Sequence, residues 1–346
     1  MKYFLSDRCV LKLLEKPSIY DINSDELYEL DNQAFDFLKK TSDVQGYVHG
    51  DSDMEFVDYC FSEGILTAVP VNVKRPAVRQ STVPSLRYLE LQITDRCNLK
   101  CRHCYIGKPL NNELSVDNIR KILAEFEDMQ GLRLLITGGE PLIHRDFEEI
   151  NKMLPYFAFR KILFTNGLLL NRELIERLNV HEIQFSVDGL EHGHEAVRGK
   201  GTYNAVIRRI EDVLAKGIAV SIATMIHKEN IDEFDEMEKL FRNMNIKDWT
   251  VDAPCISGNL ADNMFLCVSP EVAGKYMNYG FGDGLHGGGD GYACGLHLAS
   301  VLPDGNIAKC AFYSNLPAGN ISEGLKTVWS RIIPVGLGDL ECSDIG

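Results

Sequence analysis

Three cysteines lie within a short stretch of the chain, at Cys97, Cys101 and Cys104. They follow a predicted strand, so we expect the three side chains to share one loop at its carboxyl end. Thiolates are the soft ligands that iron–sulfur clusters take. Three local cysteines leave one iron of a four-iron cluster without a protein ligand, and that open position suits a substrate. The alternatives are a zinc site, which usually has four ligands, and a chance arrangement.

A glycine-rich turn is the second candidate element. Gly138, Gly139, Glu140 and Pro141 follow a predicted strand that ends at the same edge. Two glycines allow the backbone to come close to a ligand. Their N–H and C=O groups can pair with a polar amine, and the Glu140 carboxylate can add its charge. An ordinary strand-to-helix turn is the alternative, but the cysteine loop one β/α unit earlier makes the combination specific.

The two motifs resemble those of the radical S-adenosylmethionine (SAM) superfamily. The sequence CNLKCRHC matches its CxxxCxΦC motif and GGEP matches its SAM motif, and the resemblance covers about residues 88–253. It implies a [4Fe–4S] cluster on the three cysteines, with the amine and carboxylate of SAM on the fourth iron. One electron then cleaves SAM to methionine and a 5′-deoxyadenosyl radical. His103 fills position Φ, which is usually aromatic and packs near the adenine.

Other predicted strand ends meet at the same edge. Asn166 follows the third strand, Ser186 and Asp188 end the fourth, and Arg198 follows in a loop. In similar enzymes the serine of SxDG and the later arginine hold the ribose or carboxylate of SAM, and a guanidinium suits a carboxylate. Asn166 and Asp188 are equally compatible with turn positions. Two further residues of this loop are expected to be solvated, His192 and His194.

Strands and helices alternate over residues 88–255, which predicts an α/β domain with a parallel sheet. The predicted strands are Tyr88–Thr94, Leu132–Thr137, Lys161–Thr165, Glu182–Val187, Ala219–Thr224 and Trp249–Val251. The predicted helices are Ser115–Met129, Arg145–Leu154, Asn171–Leu178, Tyr203–Lys216 and Ile231–Met244. Six β/α units are too few for a full eight-unit barrel, so we expect an open, partial (β/α)6 TIM-like barrel of the radical SAM type. Its chemistry should lie at the carboxyl ends of the strands.

Residues 1–70 have the pattern of a separate α+β module with a winged-helix-like fold. Two helical patterns follow three strand-like runs, Val10–Leu14, Ser18–Ile22 and Glu26–Leu30. The module resembles the recognition element of maturases of ribosomally made peptides (RiPPs), which is related to the peptide chaperone of PQQ biosynthesis. The matching segments are Pro17–Asp21, Leu27–Asp31 and Glu63–Leu66.

The resemblance implies that this module binds the leader of a precursor peptide as a strand added to its sheet edge. A dimerisation or packing domain is the alternative. Residues 71–87 contain prolines and several basic residues, and we expect them to form a solvated linker.

Residues 256–346 are predicted to form a C-terminal domain. Cys294, Gly305 and Cys310 resemble the first half of a SPASM domain, which carries auxiliary iron–sulfur clusters, and a predicted hairpin brings the two cysteines together. The full pattern continues with further cysteines after this point, so we expect a reduced, SPASM/twitch-like or truncated form of the domain. Cys342 is expected to complete the site, with Cys267 as a weaker candidate. Buried free thiols are the alternative.

Cys255 follows the sixth predicted strand and should face the mouth of the barrel. A thiol there can give a hydrogen atom to a substrate radical, as in some peptide epimerases of the superfamily. A buried, small apolar side chain is the alternative, and we expect Cys9 and Cys60 to be core residues of this kind.

Composition excludes several classes of protein. The net charge of -14 opposes binding to nucleic acid. No run approaches the roughly 20 apolar residues of a membrane span, and the N-terminus does not have the pattern of a signal peptide. Ten cysteines without a signal sequence indicate metal binding in the reducing cytoplasm rather than disulfides. Flavodoxin or ferredoxin is the expected electron donor.

The order of the three regions resembles that of radical SAM peptide maturases. The resemblance implies a thioether or carbon–carbon crosslink in a precursor peptide, with an auxiliary cluster accepting an electron. The alternatives are an epimerase that uses Cys255, a maturase of a small redox or haem-type cofactor, and a structural iron–sulfur or zinc protein.

Overall fold

The computed structural model describes residues 2–48, 54–282, 292–294, 296–333 and 335–336, without the side chains of 292–294 and 335–336. The N-terminal strands are β1 (Lys2–Leu5), β2 (Cys9–Leu13), β3 (Pro17–Asp21), β4 (Glu26–Glu29), β5 (Tyr47–Val48) and β6 (Leu66–Thr67). The N-terminal helices are α1 (Asn32–Thr41) and α2 (Met54–Ser62). The strands β2–β3–β4 form one antiparallel sheet, and β1 pairs with β5 and β6.

The three predicted N-terminal strands are confirmed, whereas β1, β5 and β6 were not predicted. Asp31 begins α1 as its N-cap, because its carboxylate accepts a hydrogen bond from the Ala34 N–H at 2.7 Å. Cys9 and Cys60 are both 0% exposed within this small core, as expected.

The central sheet contains all six predicted strands. They are β7 (Tyr88–Gln92), β8 (Arg133–Thr137), β9 (Arg160–Thr165), β10 (Glu182–Ser186), β11 (Ala219–Met225) and β12 (Asp248–Asp252). Neighbouring strands are parallel in the order β12-β11-β10-β9-β8-β7, which confirms the parallel sheet. The connecting helices are α3 (Val116–Asp128), α4 (Phe147–Met153), α5 (Arg172–Arg177), α6 (Glu191–Arg198), α7 (Thr202–Ala215) and α8 (Phe234–Asn243).

The C-terminal region extends this sheet. Its elements are α9 (Pro270–Met277), β13 (Tyr292–Cys294), β14 (Leu298–Val301), β15 (Asn306–Ala308), β16 (Gly319–Asn320), α10 (Leu325–Trp329) and β17 (Val335–Gly336). The predicted hairpin is present as β14–β15. Strand β14 pairs in parallel with β7, so the hairpin and β16 continue the barrel sheet to nine strands. Strand β13 pairs separately with β17.

The base of the barrel, where its strands begin, is closed by the N-terminal module. The β3–β4 turn brings Asp25 to Arg133 at 2.7 Å and to Arg160 at 3.3 Å. Arg160 is 1% exposed and also pairs with Glu182 at 2.7 Å, and Lys247 pairs with Glu182 at 2.9 Å. Buried ion pairs of this kind fix one relative arrangement of the elements that carry them.

The expectation of a solvated linker is wrong for part of residues 71–87. Arg75 donates hydrogen bonds to the carbonyls of Leu5, Ser6 and Cys9, and Arg87 pairs with Glu15 at 2.8 Å. The segment packs here because carbonyl groups and the Glu15 carboxylate of the N-terminal module accept these guanidinium donors.

Candidate active site

Contacts from three directions hold the cysteine loop. At the end of β9, Asn166 Nδ2 donates to Asn98 Oδ1 at 2.8 Å and lies 3.8 Å from Cys97 Sγ. From α6, the Val197 carbonyl accepts the Arg102 N–H at 2.9 Å. Strand ends that are distant in sequence therefore position the loop, and Asn166 contributes directly.

The third contact comes from a segment that sequence reasoning missed. Residues 258–266 form 3₁₀ turns after β12. Asn259 Nδ2 donates to the Cys101 carbonyl at 2.9 Å, and the Asn259 N–H donates to the Cys104 carbonyl at 2.8 Å. Gly258 has φ +50°, and a Cβ there would lie 2.4 Å from the Cys104 carbonyl oxygen, so only glycine allows this approach. An Asn after a glycine was the one available signal, and it is weak.

The three thiols are partly or fully buried, and none of them forms a disulfide. Burial raises the pKa of Cys97 and raises that of Cys101 to about 11, so the thiols need a cation to become thiolates. Among the described residues, no three His, Cys, Asp or Glu side chains surround a single metal-ion position. Three thiols on one loop are the soft donors that a [4Fe–4S] cluster takes, with each thiolate bound to a separate iron.

The glycine turn packs directly against the start of the cysteine loop. Gly138 has φ +155°, and Cβ atoms on Gly138 and Gly139 would lie 2.4 Å from the carbonyl oxygens of Thr94 and Arg96. The expected free N–H groups are not found here: the Gly139 N–H donates to Thr94 O and the Glu140 N–H donates to Arg96 O, both at 2.8 Å. The glycines therefore allow two loops to touch.

Glu140 is placed differently from the expectation. Its carboxylate is 0% exposed and accepts hydrogen bonds from Thr165 Oγ1 at 2.8 Å and the Asn166 N–H at 2.9 Å. Burial raises its pKa to about 7. The side chain holds the end of β9 in place, because two parallel strand ends bring these donors to it, and it does not face the open edge.

A buried polar network links α6 to the cysteine loop. Arg198 Nε donates to Asp188 Oδ2 at 2.5 Å, and Arg198 Nη1 lies 4.0 Å from Cys101 Sγ. His103 Nε2 lies 3.2 Å from the same Asp188 oxygen, and its Nδ1 is buried without a hydrogen-bond partner among the described residues. Burial lowers the pKa of His103 to about 4, so the ring is neutral near pH 7. Although burial opposes it, the Arg198 guanidinium holds the pKa of Asp188 well below its usual range.

Two expectations about the segment after β10 are wrong. Arg198 ends helix α6 and is not in a loop. His194 is 1% exposed, and its Nδ1 accepts the Asp188 N–H at 3.2 Å, so it is a buried structural residue. His192 is exposed, as expected. The short helix was missed because glycine and two histidines interrupt its apolar pattern, while tertiary contacts stabilise it.

The remaining candidates lie at different places in the fold. Ser186 is the last residue of β10 and is partly exposed, and Pro141 begins a 3₁₀ turn. Cys255 is partly buried, three residues before the Gly258 contact with the cysteine loop. Cys310 and Cys267 are also partly buried. Outside the described side chains lie Cys294, whose backbone is in β13, and Cys342.

Cys310 lies near the cysteine loop. The ring of Tyr105, which follows Cys104, packs against Phe312 with 4.9 Å between ring centroids. Tyr105 is buried, and its pKa is raised by burial and then by nearby groups that include Cys104 and Cys310. The two cysteine regions are therefore neighbours in space.

No helix among the described residues combines the length and apolar character that crossing a bilayer requires.

The family model of the radical SAM superfamily matches residues 91–241. Mycofactocin maturase MftC of Mycolicibacterium smegmatis is 31% identical over 159 residues, which are 44% of this chain and 41% of MftC. Fe-coproporphyrin III synthase of Methanosarcina barkeri is 30% identical over 158 residues, 42% of this chain and 40% of that protein. The chain thus matches less than half of the length of these two relatives.

A solved structure, Streptococcus suis SuiB bound to its precursor peptide SuiA, is similar over most of the chain. The TM-score is 0.67 at 15% identity, and the likeness covers 94% of this chain and 88% of SuiB. At this identity the likeness shows a shared fold. The family match indicates a radical SAM domain over residues 91–241; members of this superfamily are enzymes, and their characteristic cofactors are SAM and a [4Fe–4S] cluster.

Proposed function

We propose that this chain is a radical SAM enzyme that modifies a ribosomally made precursor peptide, most simply by a thioether or carbon–carbon crosslink. The observation that carries the proposal is the cysteine loop. Cys97, Cys101 and Cys104 lie on one loop that Asn166, Val197 and Asn259 hold from three sides. These thiols would bind three irons of a [4Fe–4S] cluster and leave the fourth for SAM.

When bound, the reduced cluster supplies one electron that cleaves SAM into methionine and a 5′-deoxyadenosyl radical. The side chains of the protein would position SAM and provide the charged and polar groups that bind it. Arg198 is the group that would bind the carboxylate of SAM, because Asp188 orients its guanidinium beside Cys101. Ser186 would hold the ribose, and His103 would meet the adenine with its unpartnered Nδ1.

An auxiliary iron–sulfur site is proposed at Cys310, with Cys294 and Cys342 as further ligands. The support is the position of Cys310 beside Tyr105, which adjoins the cysteine loop. A cluster held by these residues would supply an electron acceptor for crosslink formation. Flavodoxin or ferredoxin would supply electrons in the cytoplasm.

The N-terminal module would bind the leader of the peptide on the outer edge of β4. Strand β4 pairs only with β3 among the described residues. The Leu30 N–H donates to Pro17 O, so the alternation of an antiparallel ladder directs the N–H groups of Leu27 and Glu29 outward. SuiB, which shares the fold, is solved with a precursor peptide, and MftC is named a maturase.

The proposal that the chain binds a cluster and cleaves SAM is tested by anaerobic reconstitution with iron and sulfide, followed by SAM and dithionite. We expect about four irons per chain at this site and formation of 5′-deoxyadenosine. A protein that binds zinc instead, or that binds iron and forms no 5′-deoxyadenosine, would contradict the proposal.

The proposal that the chain modifies a precursor peptide is tested by co-expression with short peptides encoded near the gene, and by mass spectrometry of those peptides. Glu29→Pro removes an outward N–H and leaves the β3–β4 ladder intact, so it should strongly lower modification of the full-length precursor while SAM cleavage continues. The leader raises the local concentration of the core peptide, so a short peptide supplied in excess still reaches the barrel. Glu29→Ala is the matched control and should keep modification. Equal modification by both variants would reject the β4 edge as the leader site.

A second candidate function is peptide epimerisation with Cys255 as hydrogen-atom donor. The observation in its favour is that Cys255 is partly buried on the segment that contacts the cysteine loop. Cys255→Ala should then stop turnover while 5′-deoxyadenosine still forms. Maturation of a haem-type cofactor, which the Fe-coproporphyrin III synthase relative favours, predicts no mass change in any peptide.

A further inference from the structure

The inner face of the barrel differs from its outer face. Side chains alternate along each strand. Positions that face the helices are apolar, such as Leu89 and Leu91 on β7 and Ile183 and Phe185 on β10. The alternate positions line the lumen, and many of them are polar: Glu90, Gln92, Thr137, Gln184, Ser186, Ser221, Asp248, Thr250, Asp252 and Ser300. Apolar side chains such as Leu135, Ile162 and Phe164 occupy other inner positions. The polar positions offer hydrogen bonds to a bound group.

Glu90 on β7 carries a negative charge into this lumen. Its partly buried carboxylate accepts hydrogen bonds from Ser300 Oγ at 2.5 Å, Thr137 Oγ1 at 3.3 Å and Gln92 Nε2 at 3.4 Å. All three donors are neutral. Within the part of the chain that the structure describes, Glu90 forms no ion pair with a basic side chain. A partly buried carboxylate without a counter-charge favours binding of a cation.

A second polar group on the same face also lacks a partner. Ser221 on β11 is 3% exposed, and its hydroxyl has no hydrogen-bond partner among the described residues. It pairs in register with Gln184 and Asp248, so this row of inner positions is polar across three strands. An unsatisfied buried hydroxyl costs free energy, and a bound polar group relieves that cost.

The arginine side chains at the base of the barrel already form ion pairs. Arg133 and Arg160 lie on inner positions at the base, where they pair with Asp25 and Glu182. Above that layer the inner positions of the described strands hold no lysine or arginine, and Arg198 at the carboxyl ends is paired with Asp188. Glu90 accepts its described hydrogen bonds from neutral groups, so the charge at this point of the lumen has the sign that attracts a cationic guest.

We propose that the lumen admits a cationic side chain of the substrate, lysine or arginine, and that Glu90 binds it. The inference rests on the proposed function, because the reacting side chain must enter the barrel beside the SAM site. Gln92, which bonds Glu90, also donates to Tyr105 Oη at 3.1 Å, and Tyr105 follows Cys104 directly. A cation held by Glu90 is therefore close to the cysteine loop.

The experiment uses two acetylated tripeptide amides, Ala-X-Ala, in which X is lysine or its uncharged analogue norleucine, with every carbon-bound hydrogen of X beyond Cα replaced by deuterium. Reconstituted enzyme receives SAM, dithionite and one peptide. The 5′-deoxyadenosyl radical breaks one C–D bond of residue X and forms the C–D bond of 5′-deoxyadenosine. The carbon radical left on X is reduced by one electron from dithionite and takes up a proton from water. Mass spectrometry of 5′-deoxyadenosine then reports which residue reaches the radical, and calorimetry without reductant measures the affinity of each peptide.

We expect at least about tenfold more deuterium transfer and about tenfold tighter binding for the lysine peptide, because a charge-assisted hydrogen bond is lost with norleucine. Glu90→Gln should remove this preference, and Glu90→Asp should retain most of it. The matched control is Glu238→Gln, a surface carboxylate on α8 that should behave as wild type.

An equal or absent response of the wild-type enzyme to the two peptides overturns the proposal, as does a Glu90→Gln variant that keeps the preference. These outcomes differ from failure of the proposed function. In that case the wild-type enzyme forms no 5′-deoxyadenosine in any reaction.

Discussion

The two ends of the barrel differ in the partners of their buried polar groups. At the base, Arg133 and Arg160 each have a carboxylate of Asp25 or Glu182 within ion-pair distance. At the carboxyl ends, the cysteine thiols and His103 Nδ1 are held in place by neighbouring loops, but the described residues leave that nitrogen unsatisfied. Groups that satisfy one another stabilise the fold, whereas positioned groups that lack a partner indicate where a ligand completes the structure.

The largest effect is expected from a change at the carboxyl ends. Cys101→Ala removes a cluster ligand while its loop remains held by Asn259, so 5′-deoxyadenosine formation should fall below detection. Chromatography of the SAM cleavage products measures it. Cys60→Ala, in the N-terminal core, is the control and should retain cleavage. A Cys101→Ala enzyme with wild-type turnover would place the cluster elsewhere.

At the base, the expected effect is on stability. Arg160→Met leaves Glu182 and Asp25 buried with fewer counter-charges, so the free energy of unfolding should fall by about 3–5 kcal/mol. Urea unfolding followed by circular dichroism measures the change. A loss below about 1 kcal/mol would mean that the base is not held by these ion pairs.

The Glu140 carboxyl should make stability depend on pH. Burial raises its pKa from 4.5 to about 7, so the folded state binds more protons than the unfolded state between these values. The contribution of Glu140 is therefore full below about pH 4.5 and is lost as the pH rises through 7, by up to about 1.4 kcal/mol per pH unit. The free energy of unfolding of the wild type and of Glu140→Gln, measured between pH 5 and 7.5, isolates this contribution. The stability of the wild type relative to the variant should fall as the pH rises, and a relative stability that rises with pH would contradict the prediction.

The smallest effect is expected at a surface pair. Glu238 and Arg242 on α8 lie 2.8 Å apart, close to the 2.7 Å between Arg160 and Glu182, yet both are solvent-accessible. Glu238→Ala should change the free energy of unfolding by about 0.5 kcal/mol or less. A loss as large as that of Arg160→Met would show that burial does not distinguish the two pairs.

Much of the fold could be predicted because its signals are local. The alternation of apolar strands with amphipathic helices predicted β7 to β12 and five of the helices between them. The Pro303-Asp304-Gly305 turn predicted the β14–β15 hairpin. Such patterns depend on neighbours within one element, and one sequence is enough to read them.

The missing parts depend on contacts between distant residues. Nothing near Glu140 indicates that its carboxylate accepts from Thr165 and Asn166, since those donors arrive only when β8 and β9 align. Asn259 likewise reaches the carbonyls of Cys101 and Cys104 only in the folded chain. The short helix α6 has too little apolar periodicity to be predicted and is stabilised by packing.

The central claim is that three thiols hold a cluster whose fourth iron is open to SAM. Electron paramagnetic resonance of the anaerobically reconstituted, dithionite-reduced enzyme, recorded before and after addition of SAM, tests this claim most directly. We predict the signal of a reduced [4Fe–4S] cluster, a change in its g values when SAM binds, and loss of that signal in Cys101→Ala. A wild-type enzyme in which no cluster signal responds to SAM, or a Cys101→Ala enzyme that keeps a SAM-responsive signal, would contradict the account.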